Sequence, residues 1–204
     1  MCHAPIVIPA IGGERGRECE ATTRAMVEAA EVLAAAAPET VVVLSPHAPR
    51  SRTAFCWKSE GRWVGTFSAF GRADLGMTFE ADLQAAHALS RAALTRGIPL
   101  EPSVQDPMDH GALVPLWFVR EAGCMAKVLV LGFPWDSDTP LLEGFSAALG
   151  EAMAGLDPSK GLQTTVVWLT SKAGEAIWSS VYGAVQALLA YGVRFFARLD
   201  EETP

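Results

Sequence analysis

Hydrophobic positions along this chain fall into two kinds of stretch that alternate. Short apolar runs rich in Val, Ile and Leu, at residues 41–44, 127–133 and 164–169, have the pattern of buried strands. Between them lie longer segments in which Ala, Leu and Glu recur at helical spacing. Residues 18–37 predict a helix stopped by Pro38, and residues 79–96 predict a second one closed by Gly97. Residues 141–154 and 174–189 predict two more helices, and residues 193–199 a final strand. Residues 6–9 predict a short strand or extended segment, and residues 113–119 a helix start or buried segment. Residues 55–63 predict a hairpin, with Phe55, Trp57 and Val64 alternating around Ser59, Glu60 and Gly61. Strands separated by helices of this length imply a largely parallel sheet covered on both faces. The expectation is an α/β fold: a single three-layer α/β/α domain over residues 1–204, with a mostly parallel, mixed central sheet.

Composition narrows the function classes. The chain has 204 residues and is 50% hydrophobic, enough to bury one sizeable core. A net charge of −7 without a Lys/Arg cluster argues against a nucleic-acid surface. No apolar run reaches the ~18 residues of a membrane span, and the first residues lack a basic segment followed by an apolar one. Cys2, Cys19, Cys56 and Cys124 are widely spaced with no C-x-x-C pair, which suits reduced thiols in a cytoplasmic protein.

Candidate chemistry centres on histidine, of which the chain has four. The run of residues 41–44 breaks at Pro46, so His47 falls at a strand's carboxyl end, where open α/β sheets place their ligands. A neutral imidazole there can ligate a metal or move a proton. His3 opens a Pro-rich apolar stretch, and His110 sits in Met108-Asp-His-Gly111 just before residues 113–119. His87 lies within a predicted helix and reads as a helix-face residue. Trp57, Trp63, Phe67 and Phe70 read either as an aromatic wall or as hydrophobic cover over the sheet. Trp117 and Phe118 read as core, Trp135, Asp136 and Asp138 as a strand-end loop, and Gly12-Gly13 as a turn. Arg50 and Arg52 suit either an anionic substrate or the solvent.

Four segments, in order, resemble a known family: His3-Ala-Pro-Ile-Val-Ile-Pro9 with Ile11-Gly12, Val42-Val-Leu-Ser-Pro-His47, Gly65-Thr-Phe-Ser-Ala-Phe-Gly71, and Asp109-His-Gly-Ala-Leu-Val-Pro-Leu-Trp-Phe118. Together, over about the first two-thirds of the chain, they are similar to the LigB-type class III extradiol ring-cleavage dioxygenases. That superfamily also includes Memo-like and AmmeMemoRadiSam-associated proteins. The resemblance implies Fe(II) held by two histidines and a carboxylate, with open positions for a catechol or aminophenol and O₂. His3 and His47 match the two metal-binding histidines, and His110 a histidine that hydrogen-bonds substrate or oxygen and helps move protons. Asp109 then either orients its neighbours or caps the following segment. Cys2 is a bystander or an alternative soft ligand.

The second half departs from the family pattern. Members usually carry a segment like Ser-Gly-Asp-Leu-Ser-His after a late strand, whose histidine is the catalytic base. Here residues 164–169 are followed by Thr170-Ser-Lys-Ala-Gly-Glu175, and no histidine follows His110. With the second half shortened, Glu175 is implied as the third ligand, or is a first-turn Glu favoured by a helix macrodipole. Lys172, close to where the base would fall, reads as a solvated loop lysine. A positioned acid/base group contributes ~10²–10⁴-fold to rate, so its loss bears on turnover. The expected activity is therefore Fe(II)-dependent extradiol ring cleavage, with impaired catalysis as one outcome. One alternative is a non-catalytic Memo-like or accessory subunit, and another a zinc-dependent hydrolase using the same pocket. A homo-oligomer or a partner subunit is expected.

Overall fold

Six strands form the central sheet of this protein, in the spatial order β5-β2-β6-β1-β7-β8. The computed structural model describes residues 4–45, 47–49, 51–58, 60–103 and 107–153, with the backbone of 154, 164–168 and 194–196. β1 (Thr40–Ser45) runs parallel to β6 (Lys127–Gly132) on one side and to β7 (Thr164–Trp168) on the other. β7 runs parallel to β8 (Arg194–Phe196). β2 (Phe55–Lys58) is antiparallel to β6 but parallel to β5 (Leu100–Ser103), so two strands oppose the direction of the other four. The α/β fold with a mostly parallel, mixed sheet is as the alternation of apolar runs implied.

β1 is buried along its whole length, and its side chains alternate between the two faces. Val41 and Val43 pack with Met26, Ala30 and Leu33 of α2 (Glu20–Ala35) and with Leu113, Leu116 and Val119 of α4 (His110–Glu121). Val42 and Leu44 pack with Ala86 and Leu89 of α3 (Leu83–Thr95) and with Phe145 and Leu149 of α5 (Thr139–Ala154). β6 repeats the division, Val128 and Val130 joining the first core and Leu129 and Leu131 the second. Each strand of two-faced apolar residues thus anchors a helical layer on both sides.

Three expectations need correction. Residues 6–9 are not a strand: Pro5 opens a 3₁₀ turn (Pro5–Val7) and Pro9 opens the short helix α1 (Pro9–Gly12). Proline's fixed φ and missing N–H suit the first helical position, and that preference wins over the β-branched run. The hairpin is also displaced by one strand. β2 enters the main sheet, whereas β3 (Arg62–Phe67) pairs with β4 (Arg72–Glu80) in a separate two-stranded sheet. Its turn is Ser68–Phe70, closed by Gly71 at φ +76°, a left-handed conformation that glycine adopts at no steric cost. Finally, the segment from Phe79 is strand as far as Glu80, and α3 starts at Leu83. Asp82 explains that start, since its carboxylate accepts from the Ala85 N–H at 2.9 Å as an N-cap while also accepting from the Thr40 hydroxyl.

The helices expected over 18–37 and 141–154 and the strands over 41–44, 127–133 and 164–169 occur within two residues of those bounds, residues 113–119 lie inside α4, and the final strand is seen over Arg194–Phe196. Gly97, at φ +66°, ends α3 as expected. The predicted helix of residues 174–189 lies outside the described residues. Cys19, Cys56 and Cys124 are free thiols. No helix among the described residues is long and apolar enough to cross a membrane.

Candidate active site at the carboxyl end of the sheet

The site forms where β1 ends. Ser45, its last residue, is fully buried, and the chain then passes through His47 over the end of β6. Gly132 of β6 lies so close beneath that a Cβ there would collide with the Pro49 carbonyl oxygen, so the loop carrying His47 is seated directly on the sheet.

α4 begins beside this loop. Asp109 is its N-cap, the side-chain Oδ1 accepting from the Ala112 N–H at 3.1 Å. The same oxygen accepts from the Ser45 hydroxyl at 2.5 Å, and Ser45 Oγ in turn accepts from the His47 N–H at 3.2 Å. One buried hydroxyl therefore ties the backbone of His47 to the start of the helix that carries His110. Gly111 makes the approach possible. A Cβ at that position would lie 2.5 Å from Ser45 Oγ, 2.8 Å from Asp109 Oδ1 and 3.0 Å from His47 Cδ2.

The two imidazoles consequently stack, with centroids 4.3 Å apart and planes 28° from parallel. Phe70, from the turn between β3 and β4, sets its ring against His110 at 5.3 Å and 68°, an edge contact. Burial pushes the His110 pKa below the ordinary imidazole value, the adjacent His47 lowers it further, and Asp109 partly opposes both. His110 is thereby favoured in its neutral form, in which one ring nitrogen accepts and the other donates. Among the described residues Asp109 Oδ2 is buried and meets no hydrogen-bond partner, which leaves an acceptor at the base of the site.

Sequence reasoning brings His47 and His110 to one place, and the structure stacks them. His3, Glu175, Cys2, Lys172 and Arg50 lie outside the described residues. Asp109 adopts the capping role that was one of its two readings. Of the four aromatics considered for a wall, Phe70 touches His110. Trp63 and Phe67 are buried in the core beneath α2 and α4, and Trp57 is in the core beneath α3 and α5. His87 is an exposed helix-face residue with its ring edge-on to Trp57. Arg52 pairs with Asp136 at 2.7 Å on the surface. Ser45 and Gly111 lie within the sequence motifs without carrying any reactive group. The signal for Ser45 is a polar residue closing an otherwise apolar strand, and for Gly111 a glycine just inside a capped helix.

Imidazole and carboxylate donors suit Fe(II) or Zn²⁺. Among the described residues, however, no group of three or more His, Cys, Asp or Glu side chains could hold a metal ion. The described residues on their own therefore do not fit the metal, and any complete ligand set must draw on residues outside them.

The chain is 24% identical over 148 residues to Protein CA_C1420 of Clostridium acetobutylicum, an alignment spanning 68% of this chain and 32% of that protein. The chain thus matches about a third of the length of that relative, whose name states no activity. Residues 1–168 match the family model described as the catalytic LigB subunit of aromatic ring-opening dioxygenase. That match takes in β1, the hairpin turn, the start of α4 and both stacked histidines, and the chain belongs to the LigB family.

Proposed function

We propose that this chain is an Fe(II)-dependent extradiol-type dioxygenase that opens the ring of a catechol or aminophenol with O₂. The observation that carries the proposal is the His47–His110 stack, held at the carboxyl end of β1 by the Ser45–Asp109 hydrogen bond. In this reading His3, His47 and Glu175 are the metal ligands. His110 is the catalytic residue that hydrogen-bonds a substrate hydroxyl. A neutral imidazole donates from one nitrogen and accepts at the other, so it suits a group that both orients a phenolic oxygen and exchanges its proton. Its lowered pKa supports that protonation state near neutral pH. Asp109 fixes the start of α4, and with it the backbone from which His110 projects. A cytoplasmic homo-oligomer or a complex with a partner subunit belongs to the same proposal.

A second reading is favoured by one observation, that no histidine follows His110 in the sequence. It is a family member that keeps the fold and binds an aromatic ligand or a partner without opening rings. Anaerobic reconstitution with Fe(II), followed by iron analysis and O₂ uptake with catechol, separates the two. About one iron per chain and catechol-dependent O₂ consumption support the dioxygenase, with His47→Ala losing the iron while retaining the fold. Iron binding without O₂ uptake, or no iron at all, supports the second reading.

A further inference from the structure

We infer that Phe70 is a ligand-binding residue of this site, forming a wall against which the ring of an aromatic ligand packs. The inference rests on the ring-opening reading above and adds a residue to it.

Three observations carry it. First, Phe70 is 40% exposed although it touches His110, so part of its ring remains open beside the histidine proposed to meet the substrate hydroxyl. Its neighbour Phe67, by contrast, is fully buried against Trp117, which accounts for Phe67 as core and leaves Phe70 unexplained by packing. Second, the turn that presents Phe70 is held from both sides. Gly71 closes it with an N–H to the Ser68 carbonyl at 3.1 Å. The next residue, Arg72, donates to the Ala10 carbonyl of α1 and pairs with Asp74 at 2.6 Å. The turn is thus fastened to the amino-terminal helices as well as to its own hairpin. Third, Met108 N–H donates to the Val64 carbonyl at 2.8 Å, so β3 and the segment leading to His110 form one unit. These hydrogen bonds hold the backbone of the Phe70 turn against the backbone that leads to His110.

A ligand ring lying beside His110 meets the open part of a phenyl ring whose own contact with His110 is edge-on. Aromatic rings gain from offset or edge contacts at such separations beyond the area they bury. A wall held by backbone bonds also gains more per contact than a mobile side chain, because little ordering remains to be done on binding. The polar substituents of the ligand then face the histidines, and its apolar edge faces Phe70.

The test is anaerobic calorimetric titration of catechol into the full iron-loaded chain and into Phe70→Ala, Phe70→Leu and Phe70→Trp, with iron content and melting temperature measured on each. The expected result is about tenfold weaker catechol binding for Phe70→Ala and binding within about threefold of the native chain for Phe70→Trp, with Phe70→Leu between them. Iron content and melting temperature stay unchanged throughout, and the rescue by Trp marks an aromatic contact as distinct from a structural role. Native-like catechol binding by Phe70→Ala overturns the inference and leaves the ring-opening reading standing. An iron-loaded native chain that binds no catechol overturns both.

Discussion

Removing one hydroxyl tests the way the site is assembled. Ser45→Ala deletes the donor to Asp109 Oδ1 at 2.5 Å and the acceptor for the His47 N–H at 3.2 Å, at a position with no solvent exposure. A hydrogen bond to a carboxylate contributes about 1.5–3 kcal/mol and a neutral one about 0.5–1.5 kcal/mol, and the second here is long. Asp109 Oδ1 keeps the Ala112 N–H, so the cap survives. The expected loss is about 2–3 kcal/mol. With a urea slope near 2 kcal/mol/M, the unfolding midpoint falls by about 1–1.5 M at unchanged slope, as read by far-UV circular dichroism. The partner is identified by a double-mutant cycle with Asp109→Ala, which removes the acceptor; its loss of the helix cap is common to both arms of the cycle and cancels. Coupling of at least about 1 kcal/mol is expected, and energies that add to within about 0.4 kcal/mol refute the bond. A midpoint within about 0.2 M of the native chain refutes the whole account of how His47 is held.

Three further outcomes follow from the same geometry. Gly111→Ala places a methyl 2.5 Å from Ser45 Oγ and costs about 1–3 kcal/mol in urea unfolding, a cost partly relieved in the Ser45→Ala background where that oxygen is gone. Asp82→Ala removes the cap of α3 and leaves the buried Thr40 hydroxyl without its acceptor, costing about 2–4 kcal/mol. It acts at the start of β1, about 17 Å along the strand from Ser45, so iron content after anaerobic reconstitution is unchanged. Burial pushes the Cys56 thiol above its ordinary pKa, the nearby Glu101 adding to the rise and a backbone hydrogen bond at Ser51 opposing it. The folded chain is thus expected to leave Cys56 unmodified by a thiol reagent at pH 8 under conditions where the urea-unfolded chain reacts, as mass spectrometry after digestion reports. A raised thiol pKa also means that the unfolded chain releases its proton first, so this group lowers stability as pH rises through the ordinary thiol range.

Much of the fold was legible because the strands carry it locally. Residues 41–44 and 128–131 are apolar on both faces, and a strand of that kind has to lie between two layers, which is the three-layer arrangement observed. The errors came where local pattern and local chemistry pointed in different directions. Pro5 and Pro9 frame a β-branched run, and their helix-start preference prevailed. The alternation of Phe55, Trp57 and Val64 spans two strands that serve different sheets, a distinction set by partners far away. β2 finds its neighbours at Leu100 and Gly132, whereas β3 finds its neighbour at Phe79. The boundary at Asp82 depended on a cap whose other partner, Thr40, lies 42 residues earlier.

The site follows the same rule with sharper consequences. His47 could be placed because a strand end is a local feature, and His110 was singled out by its place just before an apolar run and by the family resemblance of the Asp109-His-Gly111 segment. Their contact could not be read from the residues alone, since it depends on Ser45 meeting Asp109 across 64 residues and on the missing side chain of Gly111. Neither residue is reactive in itself, and neither would be chosen in a search for nucleophiles, bases or ligands. Each nonetheless governs the distance between the two imidazoles: a larger residue at 111 drives the loop of His47 away from α4, and a residue without a hydroxyl at 45 releases it. Substitutions at these two positions are therefore expected to alter the separation of the rings while leaving both rings in place. On the proposed ligand set, in which His47 holds the metal, absorption spectra of a Co(II)-substituted chain make that claim measurable, because ligand-field bands would then respond to the placement of His47. Bands in Ser45→Ala identical to those of the native chain, at equal Co(II) content, would show that the hydroxyl stabilises the fold without setting the site.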